Sequence, residues 1–205
     1  MVGILLAQPV ARCSVRLALR DDAARPSGGR VALTAVVLAV LLGGTVLLIG
    51  LRPATAGVAW VAGAGVVVAG VDLLSHRIPD RVTLPAAVVC VAAFLADAAV
   101  EGTWPALLRA VLAGAVTFGV AALAAAVAPS GLGFGDVKLL GLVGLVLGWI
   151  GWDVLLAGVF LGFLTGAVVS LVLLATRRAG WRTALPFAPP LLVGAALALA
   201  LQGPV

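Results

Sequence analysis

The sequence predicts an all-α fold: a polytopic membrane helical bundle with about seven transmembrane helices. Of the 205 residues, 63% are hydrophobic and only 10% are charged, whereas soluble domains average about 45–50% apolar and about 25% charged residues. The apolar residues form long runs whose lengths suit a bilayer. The basic residues lie mostly in the connections between those runs. These three observations together indicate a protein whose core is packed in lipid.

Seven apolar runs are long enough, or nearly so, to cross about 30 Å of hydrocarbon, which takes roughly 17–25 helical residues. They lie at about 31–51, 54–74, 83–100, 105–128, 136–150, 152–175 and 187–203. Residues 31–205 are therefore expected to form one membrane domain. Residues 1–30 carry their arginines after a short apolar stretch, the reverse of a secretory signal. We expect them to form a cytoplasmic tail or a short interfacial segment.

The distribution of lysine and arginine predicts the orientation of the bundle. Cytoplasmic loops of membrane proteins carry an excess of these residues. With the N-terminus inside, the outer side keeps only Arg52 and Arg109. The inner side then holds all the others, which are Arg12, Arg16, Arg20, Arg25, Arg30, Arg77, Arg81, Lys138, Arg177, Arg178 and Arg182. We therefore expect a multi-pass protein of the plasma membrane with a cytoplasmic N-terminus.

The composition favours neither a metal, nor a cofactor, nor nucleic acid as a partner. Cys13 and Cys90 are isolated, and His76 is the single histidine, whereas metal sites usually gather imidazoles and thiolates. The net charge of +5 comes from arginines in loops rather than on one face, which argues against nucleic-acid binding. The lipid bilayer is the expected surrounding, and the sequence predicts no oligomeric state.

Two aspartates at the ends of apolar runs are the candidate catalytic residues. Asp72 ends the second run and shares a helix face with Gly65 and Ala69, so it is expected to point into the bundle. Asp136 begins the fifth run. Since two spans separate the two aspartates, both must lie on the same side of the membrane, which is the cytoplasmic side in the orientation above. Ionisable residues at membrane depth are costly and usually functional.

A glycine-rich break with the sequence GLGFGDVK, at positions 131–138, delivers Asp136 to the membrane boundary. Gly133 and Gly135 permit an irregular backbone and the close approach of a peptide or a neighbouring helix. Such backbone at membrane depth is tolerated only where it is packed in protein or lines a water-filled cavity. A cavity here would admit both water and an extended substrate.

Two adjacent carboxylates can hydrolyse a peptide bond by sharing one proton: one acts as general base on a water while the other donates to the scissile carbonyl. Asp136 begins a helix, where the dipole favours the anion, and Asp72 ends one, where the dipole disfavours it. We therefore expect Asp136 to be the ionised base more often and Asp72 the protonated acid. The pair titrates as a unit, so this assignment concerns one microstate.

Three neighbours of the pair are candidates for shaping the site. Pro79 ends any helical continuation after Asp72 and turns the chain. Asp80 follows it and is interpreted as a turn residue or a contact of the substrate. Lys138 lies two positions from Asp136 and so does not share its helix face. It is interpreted as an anchor to lipid headgroups, with a role in the site as the alternative.

The segments around both aspartates resemble the type IV prepilin peptidases, which are membrane aspartyl proteases of the GxGD type. The resemblance spans roughly residues 50–195 and is carried by three segments. These are Asp72 followed after five residues by IPD (78–80), then GFGDVKL (133–139), then PFAP (186–189). It implies that Asp72 and Asp136 are catalytic. It also implies that a bacterial membrane enzyme cleaves, at the cytoplasmic face, the short basic leader of a prepilin or pseudopilin.

The chain departs from the larger members of that family in two respects. It has no counterpart of the cytoplasmic domain with paired Cys motifs that accompanies N-methylation of the trimmed pilin. We therefore expect peptidase activity without methyltransferase activity, as in the short form of tight-adherence (Flp) pilus systems. The second departure is Ala188, where members of the family usually carry glycine.

Two other functions stay open at the level of the sequence. A catalytically silent scaffold of a pilus or secretion machine would not need both aspartates, yet both are present. A small proton-coupled transporter could use paired carboxylates as a relay, but transporters often show internal repeats with matching broken helices, and the sequence shows one clear glycine break. The identity of the prepilin, and whether it serves pili, secretion or competence, is not predicted.

Overall fold

The computed structural model describes residues 2–21, 23–128, 132–177, 180 and 185–203, with side chains from residue 5 onward. Gly131, Arg178 and Arg182, which entered the sequence predictions, lie outside these residues. The described chain folds into eight α-helices: α1 (Val2–Leu19), α2 (Gly28–Ile49), α3 (Pro53–Ser75), α4 (Asp80–Glu101), α5 (Trp104–Val127), α6 (Phe134–Ile150), α7 (Trp152–Ala175) and α8 (Ala188–Gln202). The prediction of an all-α polytopic bundle is confirmed.

The seven predicted spans correspond in order to α2 through α8. Five of these helices, α2, α3, α4, α5 and α7, are long and apolar enough to cross a membrane. The other two are shorter, with 17 residues in α6 and 15 in α8. At about 1.5 Å per residue they reach roughly 25 and 22 Å. The chain is thus a multi-pass membrane protein in which two helices are shorter than the hydrocarbon core is thick.

Helix α6 is short because it lies in the middle of the bundle rather than against lipid. It packs against α4, α5, α7 and α8, and apolar side chains are buried all around it. These include Val137, Leu139, Leu140, Leu142, Val143, Leu145, Val146, Leu147 and Trp149. A helix that is hydrophobic on every side suits such a central position. Asp136 is therefore carried by the most enclosed element of the fold.

Small residues let the helix backbones approach closely, as expected where apolar burial gives little drive for association in lipid. In α6, Gly148 faces Ala113 of α5, and a Cβ at that glycine would overlap the alanine side chain. In α8, Gly194 lies directly against the backbone of Gly162 in α7. These contacts hold α6 and α8, which border the candidate site, in fixed positions.

The first helix packs against the bundle instead of trailing from it. Ala7, Ala11 and Val15 are buried and recur every four residues on one face of α1, which lies against α2 and α3. The hydroxyl of Ser14 donates to the carbonyl of Ala11 (2.9 Å). Whether residues 1–30 form a separate segment stays a prediction, but residues 2–19 form a helix with a buried face.

A buried polar network joins the helix ends farthest from Asp72. Asp97 in α4 is completely buried and accepts hydrogen bonds from the Ala54 N–H (3.0 Å) and the Thr103 hydroxyl (2.9 Å). The Nε of Arg52 lies 3.6 Å from the same carboxylate. Because Ala54 lies in the first turn of α3 and Thr103 precedes α5, this carboxylate links the ends of three helices.

Arg109 closes the end of α6 on the same side of the bundle. Its guanidinium donates to the carbonyls of Gly148 (2.7 Å), Trp149 (2.6 Å) and Ile150 (3.0 Å). The last carbonyls of a helix have no partner within the helix, and a cation there also offsets the negative end of the dipole. The charge pattern of the sequence placed Arg52 and Arg109 on one side, but it did not predict these contacts.

Candidate active site

Asp72 lies one turn before the end of α3 with its side chain inside the bundle, as its helix face predicted. Gly65 on that face packs against Leu192 of α8. The carboxylate is buried, and its Oδ2 accepts a hydrogen bond from the backbone N–H of Ala188 (2.9 Å). The segment 186–189, singled out from the sequence, therefore meets the first aspartate through its backbone.

Asp136 occupies the first turn of α6 and closes that turn with its own side chain. Its Oδ2 accepts the backbone N–H of Gly133 (3.1 Å), which belongs to the residue preceding the helix. This is one half of a capping box, in which an acidic residue at the third helical position satisfies the amide of the N-cap. The side chain of Asp136 is half-buried. It is packed against protein on one side and lines the cavity described below on the other.

Each glycine before Asp136 has a distinct steric reason. A Cβ at Gly133 would lie 3.0 Å from Oδ2 of Asp136 and would crowd the carboxylate. A Cβ at Gly135 would lie 2.9 Å from the Cβ of Ile78, which is closer than such atoms approach in proteins. The two glycines thus let α6 begin directly against the connection between α3 and α4, and this contact brings Asp136 toward Asp72.

The two aspartates arrive from helices separated by α4 and α5, and they lie at the same end of the bundle, as the count of spans predicted. Asp72 is close to the end of α3, and the start of α6 packs on Ile78 in the connection that follows α3. In the described part of the chain, neither of the two carboxylates forms an ion pair with a basic side chain. The hydrogen-bond donors described for the two carboxylates are backbone amides, that of Ala188 for Asp72 and that of Gly133 for Asp136.

The dipole reasoning that distinguished the two aspartates does not hold in the structure. It considered only the helix to which each residue belongs, so Asp72 was placed at the unfavourable end of α3. The carboxylate of Asp72 in fact accepts from Ala188, the first residue of α8. Both carboxylates therefore meet a helix N-terminus, where an anion is favoured. Helix dipoles do not decide which of the two is the base.

Lys138 and Asp80 form an ion pair near Asp136. The Lys138 ammonium donates to both carboxylate oxygens of Asp80 at 2.7 Å and lies 5.0 Å from the centroid of the Phe134 ring. Asp80 is the first residue of α4, and Pro79 is its N-cap, so the predicted turn at Pro79 is present. The interpretation of Lys138 as a headgroup anchor missed this contact, which links the starts of α4 and α6.

A cavity of about 990 Å³ opens in front of Asp136. Its walls come from the 76–81 connection, the start of α6 and the end of α1. Gly133, Gly135, Pro79, Asp80 and Lys138, all predicted to shape the site, line it. Arg16 in the last turn of α1 and Arg20 directly after that helix line it as well, and the sequence reasoning missed them. The available signal was the run of arginines that follows the first apolar stretch.

Groups of three or more His, Cys, Asp or Glu side chains that could hold a metal do not occur among the residues described. The single histidine, His76, caps the end of α3 next to the cavity rather than facing other ligands. No side chain can therefore be named as a metal ligand, and the expectation of a site without a metal or cofactor stays a prediction.

Comparisons with known proteins point to one family. A model of the "Type IV leader peptidase family" matches residues 59–171, which contain both aspartates. Proteins named "Prepilin leader peptidase/N-methyltransferase" are similar in sequence. The one from Burkholderia pseudomallei is 30% identical over 184 residues, covering 85% of this chain and 55% of its own length. The one from Bacillus subtilis is 32% identical over 133 residues, covering 65% of this chain and 50% of its own length.

A third relative with the same name, from Pseudomonas aeruginosa, is 38% identical over 69 residues, covering 34% of this chain and 23% of its own length. The chain spans about half the length, or less, of the relatives it matches. No solved structure matches it. The family match covers more than half of the chain, including α6 and most of α3. The chain belongs to the type IV leader peptidase family.

Proposed function

We propose that this chain is a membrane aspartic endopeptidase that removes the leader peptide of a type IV, Flp or pseudopilin-type prepilin. The observation that carries the proposal is the placement of Asp72 and Asp136 at the same end of the bundle, with Asp136 on the wall of a cavity of about 990 Å³. Paired carboxylates without a basic partner are the arrangement that can share one proton and activate water. The names of the relatives support prepilins as the substrate class.

The proposed reaction needs only Asp72 and Asp136, called the dyad from here on, and one water. The ionised carboxylate takes a proton from the water, and the resulting hydroxide oxygen attacks the carbonyl carbon of the scissile bond. The protonated carboxyl donates its proton to the carbonyl oxygen, which gives a neutral tetrahedral intermediate. Proton return to the amide nitrogen then lets the C–N bond break. The products are a new carboxyl group and a new amine, and the dyad again holds one proton.

The surroundings of the dyad support specific roles for the other residues. The backbone amide of Ala188 fixes the carboxylate of Asp72, and that of Gly133 fixes the carboxylate of Asp136. Catalytic groups held in this way lose little orientation entropy in the reaction. Gly135 and Pro79 set the distance between the two helix ends. The ion pair of Asp80 with Lys138 keeps the wall of the cavity in place.

The proposed location is the cytoplasmic face of the bacterial plasma membrane. The support comes from charge: the end of the bundle that holds the dyad also holds Arg16, Arg20, Arg77, Arg81 and Lys138 around one cavity. Basic residues accumulate on the cytoplasmic side of membrane proteins. Peptidase activity without methyltransferase activity remains a prediction of the sequence.

A cleavage assay tests the proposal. The chain is coexpressed with prepilins encoded in the same genome, and loss of the leader is followed by gel shift. Wild type is compared with Asp72→Asn, Asp136→Asn and the control Glu101→Gln, an exposed acidic residue at the other end of α4. We expect each Asn variant to lose at least about 100-fold in rate, the scale of general acid–base catalysis, while the Gln variant cleaves like wild type.

Membrane insertion of each variant is checked by fractionation, so that loss of activity is not loss of protein. Cleavage by either Asn variant at the wild-type rate would show that the dyad is assigned wrongly, and Asp80 would be the next candidate. Failure of wild type on every prepilin offered would count against the peptidase and in favour of a scaffold.

A further inference from the structure

Helix α1 forms one wall of the cavity in front of Asp136, although it lies outside the residues matched by the family model. The match begins at residue 59, whereas α1 ends at Leu19. Arg16 and Leu17 from its last turn, and Arg20 directly after it, line the cavity. The buried face of Ala7, Ala11 and Val15 fixes α1 against α2 and α3, so the backbone that carries these arginines is held beside the cavity while their side chains are exposed.

The mouth of the cavity is positively charged beyond what the protein itself neutralises. Arg77 and Arg81 join Arg16 and Arg20 there. The acidic residues of the same lining are Asp80, whose charge is matched by Lys138, and Asp136 of the dyad. Within the residues that the structure describes, none of the four guanidinium groups forms an ion pair with a carboxylate. The cavity is therefore ready to receive an anionic group.

Backbone strain is concentrated around the same cavity. Arg20 has φ 55° and His76 has φ 50°, a left-handed conformation that is costly for residues other than glycine. Helices commonly end in this conformation, but usually with glycine. Of the three non-glycine residues with positive φ in the described chain, these two line the cavity, and the third is Arg177. Residues kept in costly conformations tend to cluster at functional sites.

We propose that Arg16 and Arg20 are specificity-determining residues that bind an acidic side chain of the substrate close to the scissile peptide bond. The proposal rests on the proposed peptidase function. A guanidinium group presents donors in a planar fork that matches a carboxylate. Because Asp136 and these arginines line one cavity, a peptide placed for cleavage also meets the arginines. A phosphate headgroup of a lipid offers similar chemistry, but in this cavity it would occupy the space that the peptide needs.

The test uses the full chain in phosphatidylcholine nanodiscs and a prepilin that the wild-type chain cleaves. Each Asp or Glu within about ten residues of the cleavage site is replaced in turn by Asn or Gln. We expect one of these substrates to show a raised KM with wild type. We expect the Arg16→Gln/Arg20→Gln variant to show a KM raised about fivefold on the acidic substrate, the scale of two partly exposed ion pairs. Its kcat should stay within about twofold of wild type, because the dyad is intact.

The matched control is Arg12→Gln, since Arg12 is exposed on α1 and does not line the cavity. This variant should cleave like wild type. The decisive comparison uses the substrate in which the acidic residue has been replaced by its amide. On that substrate the Arg16→Gln/Arg20→Gln variant should have the same KM as wild type. An Arg20→Glu variant should regain part of its lost rate on a substrate that carries Lys in place of the acidic residue.

Three results would overturn the proposal. The first is an unchanged KM for the double variant on the acidic substrate. The second is an equal loss on the acidic and the amide substrate. The third is a loss that appears only when phosphatidylglycerol is added to the nanodiscs, which would assign the arginines to lipid. In each case wild type still cleaves, so the peptidase function stands. If wild type cleaves no prepilin, both proposals fall together.

Discussion

Each end of the bundle contains a buried carboxylate, and the two carboxylates have different partners. At one end Asp97 is 0% exposed and has an amide, a hydroxyl and the guanidinium of Arg52 around it. At the other end Asp72 is 4% exposed and accepts a hydrogen bond from the backbone amide of Ala188. A basic side chain within ion-pair distance is present at the first and, among the described residues, absent at the second.

The difference separates a carboxylate that stabilises from one that is available for chemistry. A buried charge is tolerated when it is paired and its lone pairs are filled, and Asp97 meets both conditions. A buried carboxylate without a basic partner is instead a group whose pKa is readily perturbed, and such groups cluster at functional sites. Burial of an acidic residue in this membrane bundle thus does not by itself distinguish a structural role from the catalytic role that we propose for Asp72. The neighbours of the residue make that distinction testable.

The strongest way to break the comparison is to neutralise each carboxylate and measure stability. We expect Asp97→Asn to lower the free energy of unfolding by about 1–3 kcal/mol, because buried partners lose a charged acceptor. Asp72→Asn should leave it unchanged or raise it, since an unpaired buried charge is removed. Unfolding in detergent, followed by tryptophan fluorescence, measures both. Trp149 stacks on Phe94 in the core and reports on it (4.2 Å between centroids). Equal losses in the two variants would contradict the distinction.

A second prediction concerns the close approach that brings the dyad together. Gly135→Ala should slow cleavage about tenfold to hundredfold, because the added Cβ meets Ile78 and displaces the start of α6, and small displacements of catalytic groups are costly. The matched control is Gly119→Ala in α5, where an added Cβ has nothing within 4 Å. That variant should cleave at the wild-type rate. The cleavage rate of both in nanodiscs is the measurement, and equal rates would show that the contact with Ile78 is not needed.

The smallest expected effect sharpens the comparison at the active end. Lys138→Gln and Asp80→Asn should each slow cleavage by about twofold to fivefold, because the ion pair is partly exposed and worth at most about 1 kcal/mol. The exchange variant Lys138→Asp/Asp80→Lys should recover part of the rate. High ionic strength should reduce the difference in cleavage rate between wild type and the two single variants. Steady-state rates at low and high ionic strength test this. An exchange variant slower than both single variants would show that the lysine acts in another way.

The fold and the placement of the two aspartates at one end of the bundle could be predicted from the sequence because they depend on local patterns. Apolar runs locate the helices of a membrane protein, and α2 through α8 lie where those runs predicted them. The parity of the spans then placed Asp72 and Asp136 at the same end of the bundle. Gly133 and Gly135 marked the start of α6 as a place of close packing, and the structure supplies the contact with Ile78.

The rest depends on contacts between segments far apart in the chain. Asp72 meets the amide of Ala188, 116 positions later, so the dipole that acts on it belongs to a helix that local reasoning does not consider. The packing of α1 was missed because the five arginines of residues 12–30 suggested a solvated tail, whereas a narrow stripe of Ala7, Ala11 and Val15 was enough to dock it. Charge density described the exposed side of α1 and hid its buried side.

The clasp of Arg109 on the end of α6 has a mechanical consequence. One guanidinium donates hydrogen bonds to three carbonyls at that end of α6. At the other end, which carries Asp136, the ion pair of Lys138 with Asp80 links α6 to α4. Because α6 is held at both ends, it acts as a rigid strut that connects the two ends of the bundle. The position of Asp136 is therefore set in part by an arginine at the opposite end of the protein.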